Sequence, residues 1–189
     1  ELLLQIIWLG DIKACAAIAA EAAFGPYTDK YTRVYSMRAL VATGTPDERG
    51  QLARMLVDQV DTLPAEIFWD GVHQLFPTHF TPTDFNRAIQ NPLRRSNAGG
   101  YGLLYSGKEF MSRLSTAEEC AVLLSTQIAI VKSEIDNSES HPLLGAIETC
   151  AVKLLELTVG TEIPALSVEA YLLLARVSRR HLLDPSDYL

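Results

Sequence analysis

The chain has 189 residues, a formal net charge of −7 and a pI near 5.1, with 48% hydrophobic and 21% charged residues. That balance excludes a disordered or fibrous chain and argues against a general nucleic-acid binder, which needs a basic face to neutralise phosphate. The apolar content suffices for one well-buried core or one elongated stack of helices.

Helical periodicity runs through nearly the whole chain, and apolar–polar alternation never holds over a strand's length. The first predicted helix is 2–9. Its stretch ELLLQIIWLG is apolar but short, with no basic n-region and no small-residue cleavage site, so it is not a signal peptide. It follows neither an initiator Met nor a cap, which predicts a chain that starts inside a helix of a longer protein. The second helix, 11–24, carries seven alanines and places Ile12, Cys15, Ile18, Ala19 and Ala22 on one side. So much alanine lets neighbouring helix axes approach closely. Helix three, about 30–43, is stopped by Gly44 with Pro46 beyond.

Pro46 suits the first turn of a fourth helix, 46–59. Helix five, 63–75, opens at Pro64 and aligns Phe68, Val72, Leu75 and Phe76 on one face. Thr81, Pro82 and Asp84 cap a short sixth helix that reaches about Gln90. NPLRRSNAGGY, rich in Asn and Gly, then interrupts the pattern and reads as a hinge. Beyond it lie an ambiguous segment 101–114 and a clear helix 116–135, for which Thr116 with Glu119, or Ser115 with Glu118, offers a capping box. Helices 142–158 and 165–183 complete the chain. No run of about 18 apolar residues occurs, so no membrane span is expected.

Few residues point at chemistry. Cys15, Cys120 and Cys150 are scattered among Ala, Val and Thr, as small buried apolar residues in a reducing compartment would be. The histidines, His73, His79, His141 and His181, show no metal spacing, and no Glu-x-x-His occurs. Gly102 to Glu109 mimics a phosphate loop, but Glu109 stands where magnesium needs a hydroxyl and no strand precedes the segment. Gly-x-Ser-x-Gly is absent. Asp70 and His73 read as an exposed helical pair. Trp69, His73 and Phe76 form an aromatic strip that serves core packing or, with Arg94 and Arg95, an interaction surface. The other basic pair, Arg179 and Arg180, closes the last helix with His181, where cations suit the helix dipole. No catalytic, metal or cofactor-binding residue is expected.

Arg38 stands out. On a helical wheel it falls inside the apolar arc of helix three, between Val34, Val41 and Ala42. A guanidinium there is costly without a partner. Between stacked helix pairs it can fork to a carboxylate of an adjacent turn, and Asp29, Asp47, Glu48 and Glu21 are the candidates.

The run Thr32-Arg33-x-x-Ser36-x-x-Ala39-Leu40, followed by Gly44, Pro46 and Asp47, resembles the second helix of a HEAT-type repeat and its exit loop. Thr32 and Ser36 replace the Val and Ala usual there. The resemblance implies that Arg33 bonds to loop carbonyls or to an acidic turn residue, and it makes Arg33, Arg38 and Asp47 seam residues. A second likeness spans about 10–135. Leu75-Phe76-Pro77, Thr81-Pro82-x-Asp84-Phe85 and the Asn/Gly-rich loop reaching Gly100-Tyr101 resemble the helical region downstream of the nucleotide-binding module in bacterial NACHT-type STAND ATPases, many of them implicated in anti-phage defence. Those helices couple a sensor to the ATPase, and the nucleotide-binding residues would lie before residue 1.

Together these readings predict an all-α fold of antiparallel helix pairs stacked as a HEAT-like α-solenoid. Residues 1–90 form the stack, 91–101 the hinge, and 102–189 a second helical segment packed on the first. The expected role is a non-catalytic scaffold, sensor or transmission segment of a larger cytoplasmic protein. Its partners would be another protein or neighbouring domains of the same chain, with no membrane and no nucleic acid. The alternatives are an autonomous all-α enzyme or small-ligand binder, with a pocket near Trp69, His73, Arg94 and Tyr101, and an oligomerisation module.

Overall fold

A computed structural model describes residues 1–26, 29–91, 94, 103–134, 141–160 and 164–182, with backbone only for 103–106 and 178–182. Among them it contains ten α-helices and no strand, so the fold is all-α. The chain divides into two compact units, and the division falls inside the sixth helix between Asp84 and Phe85. The predicted hinge at 91–101 lies almost wholly outside the described residues.

In the first unit, α1 (Leu2–Leu9) is followed by a 3-10 turn (Lys13–Cys15), α2 (Ala16–Phe24), α3 (Lys30–Thr43), α4 (Pro46–Asp58), α5 (Ala65–Leu75) and the start of α6 (Pro82–Gln90). α3 is the hub, touching α1, α2, α4 and α5. Its first turn is closed by Asp29, whose carboxylate accepts the Thr32 amide at 2.7 Å. α4 opens on a reciprocal box: Glu48 accepts the Thr45 amide at 2.7 Å, while the Thr45 hydroxyl accepts the Glu48 amide at 3.3 Å. Between these helices Gly44 is required for space, since a Cβ there would sit 2.6 Å from the Leu40 carbonyl oxygen.

The expected helix 11–24 is shorter than its alanine pattern suggests. Asp11 adopts a positive φ of 46° and Ile12 is non-helical, so the chain turns before α2 begins at Ala16. No capping side chain holds an earlier start. The predicted apolar face shifts as a result: Ile12 and Ile18 are exposed, and Ala19 and Ala23 are the residues buried against neighbouring helices.

α5 lies close to α3 and α4 because residue 71 is glycine. A Cβ there would stand 2.8 Å from Leu56 Cδ1 and 3.3 Å from Met37 Sδ. Phe68 meets Trp69 and Phe80 edge-on, with ring centroids 5.1 and 6.0 Å apart. A reciprocal Thr81–Asp84 cap starts α6, as predicted: Asp84 accepts the Thr81 amide at 3.0 Å and Thr81 accepts the Asp84 amide at 3.2 Å.

The second unit contains the rest of α6, then α7 (Leu103–Ser112), α8 (Ala117–Glu134), α9 (Leu144–Leu157) and α10 (Ala165–Leu182). Here α9 is the hub, touching α7, α8 and α10. Phe85 stacks edge-on against Phe110 at 5.4 Å. One stripe of α8, Cys120, Leu124, Gln127 and Val131, is fully buried, as are Ile147, Cys150 and Ala151 of α9. Glu119 takes the capping role at α8, accepting the Ser115 and Thr116 amides at 3.0 Å each. The carboxyl groups of Glu119, Glu48 and Asp29 are each held below the usual carboxylate range by the hydrogen bonds they accept at these caps.

The segment resembling a phosphate loop is helix where it is described. Lys108 and Glu109 lie inside α7, past its first turn, whereas a phosphate loop places its Gly-Lys at the start of the helix. Lys108 faces Glu148 at 3.8 Å.

Candidate functional site

The most organised polar feature of the first unit centres on Arg38. Its Nε donates to both carboxylate oxygens of Asp70, at 3.1 and 3.2 Å, and Nη2 donates to Oδ1. Its guanidinium carbon lies 4.7 Å from the centroid of the Trp8 ring and 5.9 Å from that of Tyr35. The two rings approach each other at 6.1 Å with a tilt of 38°. Three helices therefore meet through one side chain: α1 supplies Trp8, α3 supplies Tyr35 and Arg38, and α5 supplies Asp70.

The sequence explains this arrangement locally. Tyr35 and Arg38 are three apart on α3, so their side chains emerge as neighbours. Gly71 brings α5 close enough to α3 for Asp70 to reach the guanidinium without leaving its helix. A second pair, Lys30 with Glu66, joins the same two helices nearer their starts. The two pairs also show that α3 and α5 run in the same sense.

The environment strengthens the fork. The side chains of Arg38 and Asp70 are 25% and 10% exposed, so the pair is shielded from much of the solvent screening that weakens surface ion pairs. Arginine suits the place because its planar group can fork to a carboxylate and lie over aromatic faces together. The predicted partners Asp29, Asp47, Glu48 and Glu21 do not fill this role. Asp29 and Glu48 are taken up by helix caps, and Asp47 is exposed in the first turn of α4. Nor are Asp70 and His73 an exposed pair, because Asp70 is nearly buried against Arg38.

The other predicted interaction residues divide differently. Trp69 and Phe76 are 3% and 4% exposed, so they form core and not surface. Their helix is amphipathic, and the aromatic strip is its inward face. His73 is half-buried on the same helix. Arg94, also 3% exposed, belongs to the second unit and is buried there, while Arg95 and Tyr101 lie outside the described residues. Arg33 is half-buried, and its carbonyl accepts the Ser36 hydroxyl at 2.8 Å.

Sequence reasoning missed Trp8, Tyr35 and Asp70 as a set. Trp8 is the one aromatic in α1, and Tyr35 sits one turn before Arg38, so two of the three left a readable trace. Nothing in the linear pattern joins residue 70 to residue 38.

α1 has a second feature. Leu4 and Ile7 are buried, while Leu2, Ile6 and Leu9 share the opposite face and are 70%, 49% and 73% exposed. In the second unit, a shallow groove of about 400 Å³ between α7 and α9 is bordered by Lys108, Glu148, Lys153 and Glu156, whose opposite charges pair across 3.8 and 4.0 Å. Among the described residues no three His, Cys, Asp or Glu side chains are grouped to hold a metal ion, and no helix is long and apolar enough to cross a membrane. The chain matches no protein-family model, no curated protein and no solved structure.

Proposed function

We propose that this chain is a non-catalytic helical segment of a larger cytoplasmic protein, stacked in HEAT-like fashion, which holds or transmits protein contacts. The observation that carries the reading is the use made of Arg38. Its fork is occupied by Asp70 and its face by Trp8, so the side chain best suited to grip an anionic ligand instead sets the register of three helices. A segment that passes force or position from one contact to another needs such fixed registers. By the likeness to NACHT-type STAND proteins, the contacts would lie between a target and an ATPase elsewhere in the polypeptide. That step rests on resemblance alone.

Calorimetric titration with phosphate, magnesium–ATP and small dicarboxylates tests the reading. No saturable heat is expected. Saturable binding abolished by Arg38→Lys, which keeps the charge and loses the fork, would show that a ligand displaces Asp70 and would establish a binding protein instead. ATP binding lost in Lys108→Ala would restore the phosphate loop.

One observation favours oligomerisation as a second reading. Leu2, Ile6 and Leu9 form an apolar stripe on the outer face of α1, and helices apolar on all sides are ordinarily covered. Two such stripes crossing antiparallel would pair Leu2 with the second copy's Leu9 around a central Ile6. Light scattering over a dilution series would show a mass that rises with concentration, and Ile6→Asp would abolish the rise. A constant monomer mass would exclude this reading.

A further inference from the structure

α8 and α9 meet along a strip of small and aliphatic side chains, and two of these are cysteines. Cys120 and Cys150 are both fully buried. The Cys150 thiol donates to the Cys120 carbonyl oxygen at 3.3 Å. Thirty positions separate them in sequence, yet they occupy one point of the helix contact. Cys15, the other free cysteine, is half-buried in the first unit and has no part in this arrangement. Its contact with Cys120, together with burial, pushes the Cys150 thiol well above the usual range, so Cys150 stays neutral, while the same contact lowers the Cys120 thiol.

We propose that Cys120 and Cys150 are a modification site: an interhelical dithiol that a peroxide converts into a disulfide joining α8 to α9. Local opening of the α8–α9 contact admits the oxidant and frees one thiolate. The thiolate sulfur attacks a peroxide oxygen, the O–O bond breaks, and the departing hydroxide takes the released proton to leave as water. The resulting sulfenic acid then meets the second thiol. A sulfur–sulfur bond forms, the sulfur–oxygen bond breaks, and the oxygen leaves as a second water with the second thiol's proton. Overall, two thiols lose two hydrogens and one hydrogen peroxide becomes two waters. The second step is intramolecular between residues held at one helix contact, so it outpaces further oxidation of the sulfenic acid. The bridge closes a loop that contains the whole α8–α9 connection, and it fixes the hub of the second unit.

The test exposes the chain to hydrogen peroxide in native buffer and in sub-denaturing urea, alkylates the remaining thiols and digests without reductant. The expected product is a linked peptide pair carrying Cys120 and Cys150, with loss of two hydrogens from the intact mass and reversal by dithiothreitol. The unfolding midpoint of the second unit should rise on the order of ten degrees, the effect of closing a loop of this length. Cys15→Ser should keep both the linkage and the rise, and Cys150→Ala should lose both. Oxygen adducts on Cys120 or Cys150 without linkage, linkage through Cys15, or both thiols recovered unmodified from both conditions would each overturn the proposal.

Discussion

The two units place polar groups at their helix contacts in different ways. In the first, a full charge stands at a three-helix junction and is satisfied completely enough to organise it: Arg38 forks to Asp70 and lies over Trp8. In the second, Gln127 and Ser167, at the contacts of α8 and α9, are buried, neutral and loosely satisfied. Gln127 is fully buried on α8, its amide nitrogen donates to Met111 Sδ at 3.4 Å, and its side-chain oxygen has no hydrogen-bond partner. Ser167 donates to the Ala151 carbonyl at 3.4 Å, a long bond. A charged junction tolerates little substitution, because removing either partner strands the other. A neutral junction tolerates much more, because an orphaned amide already costs part of what it contributes.

The largest expected effect follows from that contrast. Arg38→Ala leaves the Asp70 carboxylate nearly buried without its partner and uncovers the Trp8 face. Partial exposure of the pair moderates the loss, so about 2–3 kcal/mol of stability is expected. Chemical unfolding, with hydrogen exchange of α3 amides to localise the change, provides the measurement. The double variant Arg38→Met, Asp70→Leu should recover much of the loss, since an apolar pair of similar bulk strands nothing. An unchanged midpoint in Arg38→Ala would place the guanidinium outside the packed junction and remove the contrast altogether.

Gly71→Ala probes the same junction through shape. The added methyl would start 2.8 Å from Leu56 Cδ1 and 3.3 Å from Met37 Sδ, both on fully buried side chains. Leu56 must shift, and α5 moves off α3 if it cannot. A loss of about 1–2 kcal/mol is expected, together with faster exchange in α5. A stabilised Gly71→Ala would mean that helix propensity outweighs the close approach, and that Asp70 reaches Arg38 with room to spare.

Gln127→Leu is the counterpart in the second unit, with the opposite sign. It replaces an amide with an unpartnered oxygen by an apolar side chain of similar volume, at a position with no exposure. Stability should be unchanged or raised by up to about 1 kcal/mol. A loss of the size expected for Arg38→Ala would show that the amide is as tightly organised as the ion pair, and the two units would then follow one rule.

Much of this architecture was legible in the sequence. The starts of α4, α6 and α8 were marked by local chemistry, Pro46, Thr81 to Asp84 and Thr116 to Glu119, which acts within one turn and needs no tertiary information. The start of α2 was not legible. Seven alanines favour helix anywhere, and what delays them is the backbone turn at Asp11 and Ile12, which carries the break begun at Gly10 further than any proline or glycine after Gly10 signals. The place of Arg38 within the apolar arc correctly raised the question of a partner, but the answer lay in space. Asp70 reaches it across a helix crossing set by Gly71, and local spacing paired that carboxylate with His73 instead. Trp69 and Phe76 were ambiguous for a related reason: an aromatic strip at helical spacing looks the same in sequence whether it faces a core or a groove.

The smallest effect compares the units through their caps. Asp29 and Glu48 in the first unit, and Glu119 in the second, have carboxyl groups lowered in the folded state by the hydrogen bonds they accept. A carboxyl that is more acidic when folded contributes stability above its unfolded-state value, and that contribution disappears as pH falls through the folded one. Both units should therefore weaken slightly in acid, below the ordinary titration range of free carboxylates, and neither should weaken as pH rises from there to neutrality. Glu119→Gln separates them. Gln keeps the geometry of the box and removes the charge, so the acid dependence of α8 exchange should flatten while that of α3 and α4 persists. If α8 keeps its full acid sensitivity, another carboxylate governs it, and Glu119 acts at that cap by geometry alone.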